Sequence, residues 1–153
     1  HSREQLAIQP HTHLLVSVAD LPSIWSATTS DAAAASAFVT NENEMPAEPF
    51  DWGTLKWLSN EKLSPGAEQT LGICHILPGQ RNPLHYHPNC EEVLYMISGQ
   101  GQHGFDGELI PLAAGSTIRI PAGVKHNLAN TGSETITCLI SFSSGRRETV
   151  FLE

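Results

Sequence analysis

The chain has 153 residues, a length that favours one domain with a single hydrophobic core. Its 8 Lys and Arg residues against 16 Asp and Glu residues give a formal net charge of −8, the wrong sign for a surface that recruits nucleic acid or anionic lipid. No apolar stretch approaches the roughly 20 residues that a membrane-spanning helix needs, so we expect a soluble protein that acts on a small molecule.

The first part of the chain predicts little regular structure. The segment "HLLVSV" at residues 13–18 is a strand candidate. The segment "SDAAAASAF" at residues 30–38 has helical character, because Ser30 or Asp31 can accept hydrogen bonds from the first free amides of a helix. The sequence "HTH" at residues 11–13 has two histidines at a metal-binding spacing, but it lacks a following Glu and a glycine frame. We therefore expect no metal there.

The segment "TNENEMPAEPFDWG" at residues 40–53 is acidic and contains two prolines. We expect it to be a solvated connection rather than an element of the fold. On this basis we predict an N-terminal extension at residues 1–50 and a folded domain at residues 51–153. Strand candidates near this junction, such as "TLKWLS" at residues 54–59, can extend a sheet or cover an edge on a second copy of the chain, which indicates a homodimer.

From about residue 69 onward, short apolar stretches rich in β-branched and aromatic residues alternate with Gly, Pro and Asn. Turns fall about every 8 to 12 residues, a spacing typical of all-β sandwiches and barrels. The sequence therefore predicts an all-β fold from the stretches "TLGICHIL" at 70–77, "EVLYMISG" at 92–99, "GSTIRIP" at 115–121 and "ETITCLISF" at 134–142.

The cysteines and tryptophans of the chain have simple structural interpretations. Cys74, Cys90 and Cys138 are odd in number and dispersed, which favours reduced thiols in the cytoplasm over a disulfide framework. The three tryptophans, at positions 25, 52 and 57, are expected to cover apolar surface between the N-terminal extension and the barrel or between subunits.

The sequence "HYHPNCEE" at residues 85–92 places two histidines one residue apart. Side chains two apart in a strand share a face, at about 6.6 Å between Cα atoms, so His85 and His87 can converge on one metal ion. A carboxylate from the next strand can complete such a site. Because adjacent strand residues face opposite ways, either Glu91 or Glu92 can supply it.

Two segments resemble the paired motifs of the cupin superfamily. The run "GQRNPLHYHPNCEEVLYMISG" at 79–99 resembles the first motif, and "GSTIRIPAGVKHNLAN" at 115–130 resembles the second at every specified position. The resemblance implies a cupin jelly-roll barrel, or double-stranded β-helix. It also implies one divalent metal ion per chain, Mn, Fe, Ni, Co or Zn, held by His85, His87, Glu92 and His126.

The resemblance further implies a metal-dependent enzyme that acts on a small, oxygen-rich substrate with carboxylate, keto or sugar-like groups. Four protein ligands on a six-coordinate ion leave two positions open, which suits either Lewis-acid isomerase, lyase or decarboxylase chemistry or dioxygenase chemistry. The alternative is a cupin that binds a sugar or an acid without converting it.

The sequence identifies no catalytic residue outside the predicted metal ligands. Three residues are candidates for substrate binding: Arg81, which precedes the ligand strand, and Gln102 and His103, which follow the first motif. Strand alternation leaves open which of Gln102 and His103 faces the lumen. Arg119 and Lys125 are expected to be surface residues.

Overall fold

The structure is a computed structural model that describes residue 36 and residues 38–153. The strand candidate at 13–18 and the histidines at 11 and 13 lie outside the described residues, as does the helix candidate at 30–38 apart from Ser36 and Phe38. No helix in the described part of the chain is long and apolar enough to cross a membrane.

The described residues form eleven antiparallel strands, which are arranged in two sheets. The strands are β1 (Glu48–Phe50), β2 (Gly53–Ser59), β3 (Thr70–Ile76), β4 (His85–Tyr86), β5 (Glu92–Ser98), β6 (Gln100–Phe105), β7 (Glu108–Ala113), β8 (Thr117–Ile120), β9 (His126–Asn130), β10 (Ile136–Phe142) and β11 (Val150–Phe151). The six-stranded sheet has the order β1, β2, β3, β10, β5, β8, and the five-stranded sheet has the order β11, β4, β9, β6, β7. The predicted all-β jelly-roll architecture is confirmed.

The core lies between the two sheets, and strand alternation explains its composition. In β5, Leu94 and Met96 are buried, whereas Val93, Tyr95 and Ile97, which alternate with them along the strand, are exposed. Strand β10 follows the same rule, with every second side chain buried from Ile136 to Phe142. The period-2 pattern thus gives each central strand one face toward the core and one face outward.

The acidic segment at residues 40–53 differs from its prediction as a plain connection. It contains a short 3₁₀ helix at Glu42–Glu44 and the edge strand β1, which pairs with β2 in a hairpin. Pro49 has no amide hydrogen to donate, but β1 tolerates this because it is an edge strand, with one side unpaired among the described residues. The ring of Phe50 stacks on Trp52 at 4.9 Å between centroids, and Trp52 packs against the core, so these apolar contacts tie the segment to the barrel. The position where an N-terminal extension ends stays a prediction.

Asn130, the last residue of the second motif, is a buried structural anchor. Its Nδ2 donates to the carbonyl oxygens of Ile76 and Glu134 at 2.8 Å each, and its Oδ1 accepts from the amide of Gly132 at 3.0 Å. One side chain therefore satisfies three backbone groups at the end of β9, which is the physical reason for an amide at this position.

The turn between β5 and β6 requires glycine at position 99. Gly99 has a φ of 83°, a left-handed conformation that costs a side-chain-bearing residue energy. A Cβ atom there would also lie 2.9 Å from Cγ1 of Ile136, a buried core residue. Backbone conformation and close packing both exclude a larger residue.

We expect Gly99→Ala to lower the free energy of unfolding by about 2 to 3 kcal/mol, because the left-handed penalty adds to the overlap with Ile136. Gly107→Ala is the matched control, since Gly107 has a φ of 96° but a Cβ atom there would meet no other atom within 4 Å. The control should lose only about 1 kcal/mol. Urea denaturation of both variants checks this, and equal losses would show that the packing contact contributes nothing.

Candidate metal centre

Four predicted ligand residues meet inside the barrel, and each lies in or directly after one of three strands. His85 in β4 is the direct cross-strand partner of His126 in β9. His87 follows β4, and Glu92 begins β5. One ligand atom from each of the four residues lies within 4.8 Å of all the others, and each residue is between 2% and 8% exposed. The arrangement therefore brings three imidazoles and one carboxylate to a common centre.

Backbone carbonyls fix the orientation of all three imidazole rings. A carbonyl oxygen lies 2.7 to 2.9 Å from each Nδ1, supplied by Pro83 for His85, by Glu148 for His87 and by Val124 for His126. Because a carbonyl can only accept, each Nδ1 carries the hydrogen, and the Nε2 of a neutral ring keeps its lone pair. This is the outer hydrogen bond that metal-binding histidines usually make.

The contacts around Glu92 require positive charge at the centre. Its Oε2 lies 3.2 Å from Nε2 of His87 and 3.1 Å from Nε2 of His126. Since both rings already donate through Nδ1, an ionised Glu92 attracts these nitrogens only if the rings carry a second proton or if a cation lies among them. The donor set thus fits a cation.

The electrostatics of the cluster agree with this geometry. Burial alone would raise the pKa of Glu92, but hydrogen bonds from His126 and His87 hold it well below its usual range. Burial lowers the pKa of His85 to about 4, with repulsion from His126 as the second cause. Burial opposes protonation of His126, yet its hydrogen bond to Glu92 raises its pKa above the ordinary value. The carboxylate therefore stays ionised, and these groups could hold a divalent ion through nitrogen and oxygen ligands.

The cluster forms part of the wall of a cavity of about 150 Å³. Most of the wall is apolar and includes Trp52, Trp57, Leu94, Leu128, Ile140 and Phe142. Trp52 and Trp57 line this cavity and pack against the core, and Trp25 lies outside the described residues. That the tryptophans also cover apolar surface against the N-terminal extension or between subunits stays a prediction. A small apolar cavity beside a polar cluster is the usual form of a ligand site.

His103 lies inside the cavity, and Gln102 lies outside it. His103 is 1% exposed and its ring stacks against His126, with 5.8 Å between centroids. Its Nδ1 has no hydrogen-bond partner among the described residues. Burial lowers the pKa of His103 to about 4, helped by repulsion from His126. Gln102 has the opposite parity in β6 and is exposed.

The other charged candidates lie on the surface. Nη2 of Arg81 donates to Oε2 of Glu153 at 2.9 Å, and Arg81 does not line the cavity. Arg119 forms an ion pair with Glu91, and Lys125 is exposed, as the sequence predicted.

The C-terminal segment contributes to the site in a way that no motif indicated. Arg147 and Thr149 line the cavity, and the carbonyl of Glu148 fixes His87. Strand β11 pairs with β4, which brings this segment beside the histidines. The sequence "GRRET" carries no pattern from which this position could be inferred.

Two cysteines also lie side by side on adjacent strands of the six-stranded sheet. Cys74 in β3 and Cys138 in β10 are direct cross-strand partners, and both line the cavity as free thiols. Both are buried among apolar residues and pack as small apolar side chains, and their proximity to each other was not foreseen.

Comparison with known proteins connects this barrel to others. Residues 72–142 match the family model Cupin_2, the cupin domain. The chain is 38% identical over 82 residues to polyketide synthase CurC of Streptomyces cyaneus, covering 54% of this chain and 53% of that protein. It is 40% identical over 116 residues to auxin-binding protein 1 of Arabidopsis thaliana, covering 69% of this chain and 58% of that protein. It is 35% identical over 81 residues to gentisate 1,2-dioxygenase of a Ralstonia species, covering 52% of this chain and 22% of that protein. The chain thus spans only part of the length of each relative.

A solved structure shares the fold. The oxalate decarboxylase of Lactobacillus farciminis, in complex with formate, superposes with a TM-score of 0.67 and 26% identity, over 72% of this chain and 34% of that one. The residues that match the cupin domain contain both motifs, all four clustered side chains and most of the strands of the two sheets. Residues 72–142 of the chain therefore form a cupin domain.

Proposed function

We propose that His85, His87, Glu92 and His126 bind one divalent metal ion, of Mn, Fe, Ni, Co or Zn, and that the protein is a metal-dependent enzyme. The observation that carries this proposal is the convergence of three oriented Nε2 atoms and an ionised carboxylate beside an apolar cavity. When bound, such an ion supplies Lewis acidity toward a keto, enediol or carboxylate group, or redox chemistry with dioxygen.

The substrate we propose is a small, oxygen-rich molecule with a carboxylate, keto or sugar-like group. Two enzymes similar to this chain carry names of the two reaction classes: an oxalate decarboxylase and a gentisate 1,2-dioxygenase. The ligand set suits both classes, so the choice between Lewis-acid and dioxygenase chemistry depends on which metal the protein binds.

The residues around the cavity have their own tasks in this proposal. The apolar wall excludes water and strengthens the electrostatic interactions inside. We assign proton transfer to Nδ1 of His103, which is buried, lacks a partner among the described residues and lies on the ring that stacks against His126. Because its pKa is about 4, His103 is neutral at pH 7 and can accept a proton.

The alternative function is capture of a sugar or an acid without conversion. The similarity to auxin-binding protein 1, whose name describes binding, supports this alternative. The cavity suits either function, since an enclosed apolar wall retains a ligand whether or not it reacts.

We also propose a homodimer located in the cytoplasm. The outer face of the six-stranded sheet exposes Val93, Tyr95 and Ile97 in one row, which is apolar surface that a second copy can cover. The three free, buried thiols of Cys74, Cys90 and Cys138 are compatible with a reducing compartment.

The metal proposal predicts that protein purified without chelator or metal-affinity resin contains about one equivalent of divalent metal per chain. His126→Ala should lower the metal affinity at least about 100-fold while leaving the barrel folded, because the strand ladders do not depend on the ion. The control is His75→Ala, whose side chain contacts Thr54 outside the cluster. Elemental analysis, chelator competition and circular dichroism measure these effects, and full occupancy in His126→Ala would refute the ligand assignment.

The enzyme proposal predicts that at least one keto acid, sugar or diketone is converted by the protein loaded with its native metal. Product is followed by mass spectrometry and oxygen consumption by an electrode. Iron with oxygen uptake would favour dioxygenase chemistry, and zinc would exclude it. Thermal stabilisation by a compound that is never converted, under every metal tested, would favour capture instead.

The role assigned to His103 predicts that His103→Ala lowers turnover by a factor of about 10² to 10⁴ and changes metal affinity only severalfold. Added imidazole should restore part of the lost rate, because it can occupy the vacated space and accept the proton. His75→Ala again serves as the control. Unchanged turnover in folded, metal-loaded His103→Ala would assign the ring to packing alone.

A further inference from the structure

Arg147 differs from the other arginines of the described chain in its surroundings. Its Cζ lies 4.6 Å from the ring centroid of Trp57 and 4.9 Å from that of Phe142, and all three residues line the cavity of the metal centre. Burial lowers the pKa of Arg147, although a guanidinium remains charged at any physiological pH. A cation is therefore held against aromatic rings at the edge of an apolar cavity.

Among the described residues, no carboxylate forms a direct ion pair with Arg147. Its neighbour Arg146 pairs with Glu61, and Arg81 and Arg119 also pair with glutamates. Arg147 makes no such pair within the described chain, and it donates instead to the neutral hydroxyl of Thr149. The carboxylates of Glu92 and Glu48 attract it only from beyond ion-pair distance. Since a partly buried charge without a partner is unfavourable, an anion that enters the cavity would gain more from Arg147 than from a paired surface arginine.

The cavity also limits the size and character of what Arg147 can bind. A volume of about 150 Å³ is comparable to cavities that accept a benzene-sized molecule. The wall is mainly aromatic and aliphatic, so the body of the ligand must be apolar. A planar guanidinium matches the two oxygens of a carboxylate with parallel hydrogen bonds, which a lysine cannot do.

We propose that Arg147 is the anion-binding residue of the cavity and that the ligand is a small organic acid with an apolar, ring-sized body. This inference rests on the proposed function in one respect, that the acid and the metal share one cavity. The carboxylate meets the guanidinium of Arg147, and the body lies against Trp57 and the other apolar residues beside the histidine cluster. Among the ligand classes of the proposed function, this inference selects the acids and leaves out the sugars, which are polar on every side.

A purely structural role for Arg147 would produce different results. Its stacking on Trp57 and Phe142 could serve only to hold the C-terminal segment against the barrel. In that case replacing Arg147 would lower stability but would not distinguish an anion from a neutral molecule of the same shape.

The test uses benzoate as the anion and benzamide as its neutral counterpart, with binding to the metal-loaded full chain measured by isothermal titration calorimetry. The wild type should bind benzoate more tightly than benzamide. Arg147→Gln should weaken benzoate binding about tenfold or more and leave benzamide binding unchanged, because it keeps much of the stem and removes the charge. Arg146→Gln is the matched control, since Arg146 is exposed, pairs with Glu61 and does not line the cavity.

If Arg147→Gln folds poorly, Arg147→Lys replaces it. That variant keeps the charge and loses the planar fork, so its affinity for benzoate should lie between those of the wild type and Arg147→Gln. Equal binding of benzoate and benzamide by the wild type, no binding of benzoate at millimolar concentration, or an unchanged benzoate affinity in both Arg147 variants would overturn the proposal.

The same titrations on metal-free protein separate this proposal from the metal proposal. If the protein binds no metal, the proposed function fails, yet the dependence of benzoate affinity on Arg147 should persist. If the metal is present and benzoate affinity does not depend on Arg147, the anion-binding role of Arg147 alone fails.

Discussion

The buried carboxylate of Glu92 is the charge on which the interior of this barrel depends. An unpaired carboxylate in an apolar interior costs several kcal/mol, so it must be matched by positive charge or by hydrogen-bond donors. Two imidazole nitrogens lie within 3.2 Å of one of its oxygens. Because each of those rings already donates its Nδ1 hydrogen to a backbone carbonyl, the remaining nitrogens face the centre as acceptors unless a second proton or a cation is present. The barrel is thus arranged around a place for positive charge.

The barrel positions the cluster of three histidines and Glu92, but its two sheets do not depend on that cluster for their pairing. The two sheets are held by antiparallel ladders and by an apolar core between them, so the polar cluster occupies one part of a mainly apolar interior. The outer hydrogen bonds come from backbone carbonyls, which a strand or turn can supply regardless of side chain. Because the metal-ligand cluster and the strand ladders are independent of each other, similar barrels can occur in proteins as different as a gentisate 1,2-dioxygenase and an auxin-binding protein. In such a family, the lining of the cavity distinguishes one substrate from another more than the metal ligands do.

The lining of this cavity depends strongly on the C-terminal segment. Strand β11 lies beside β4, and the residues before it bring a guanidinium, a hydroxyl and a carbonyl to the site. The Phe50 and Trp52 pair from the β1 to β2 hairpin closes another part of the wall. Both segments lie outside the two motifs, so the features that would select a ligand are supplied by the least recognisable parts of the described chain.

The sequence alone determined five of the six strands of the six-stranded sheet and the four clustered side chains. Alternation of apolar and polar residues defines a strand and its two faces, and the spacing of His85, His87, Glu92 and His126 between glycines and prolines is specific enough to carry the resemblance to cupins. Alternation does not say which face is inward, which is why His103 and Gln102 could be distinguished only once β6 was paired with β7 and β9. Only the tertiary structure brought Glu148 to His87 across 61 positions, placed Cys74 opposite Cys138 and turned Trp57 into the cavity. These contacts depend on strand order and register, which are set by packing between distant segments and leave no local pattern in the chain.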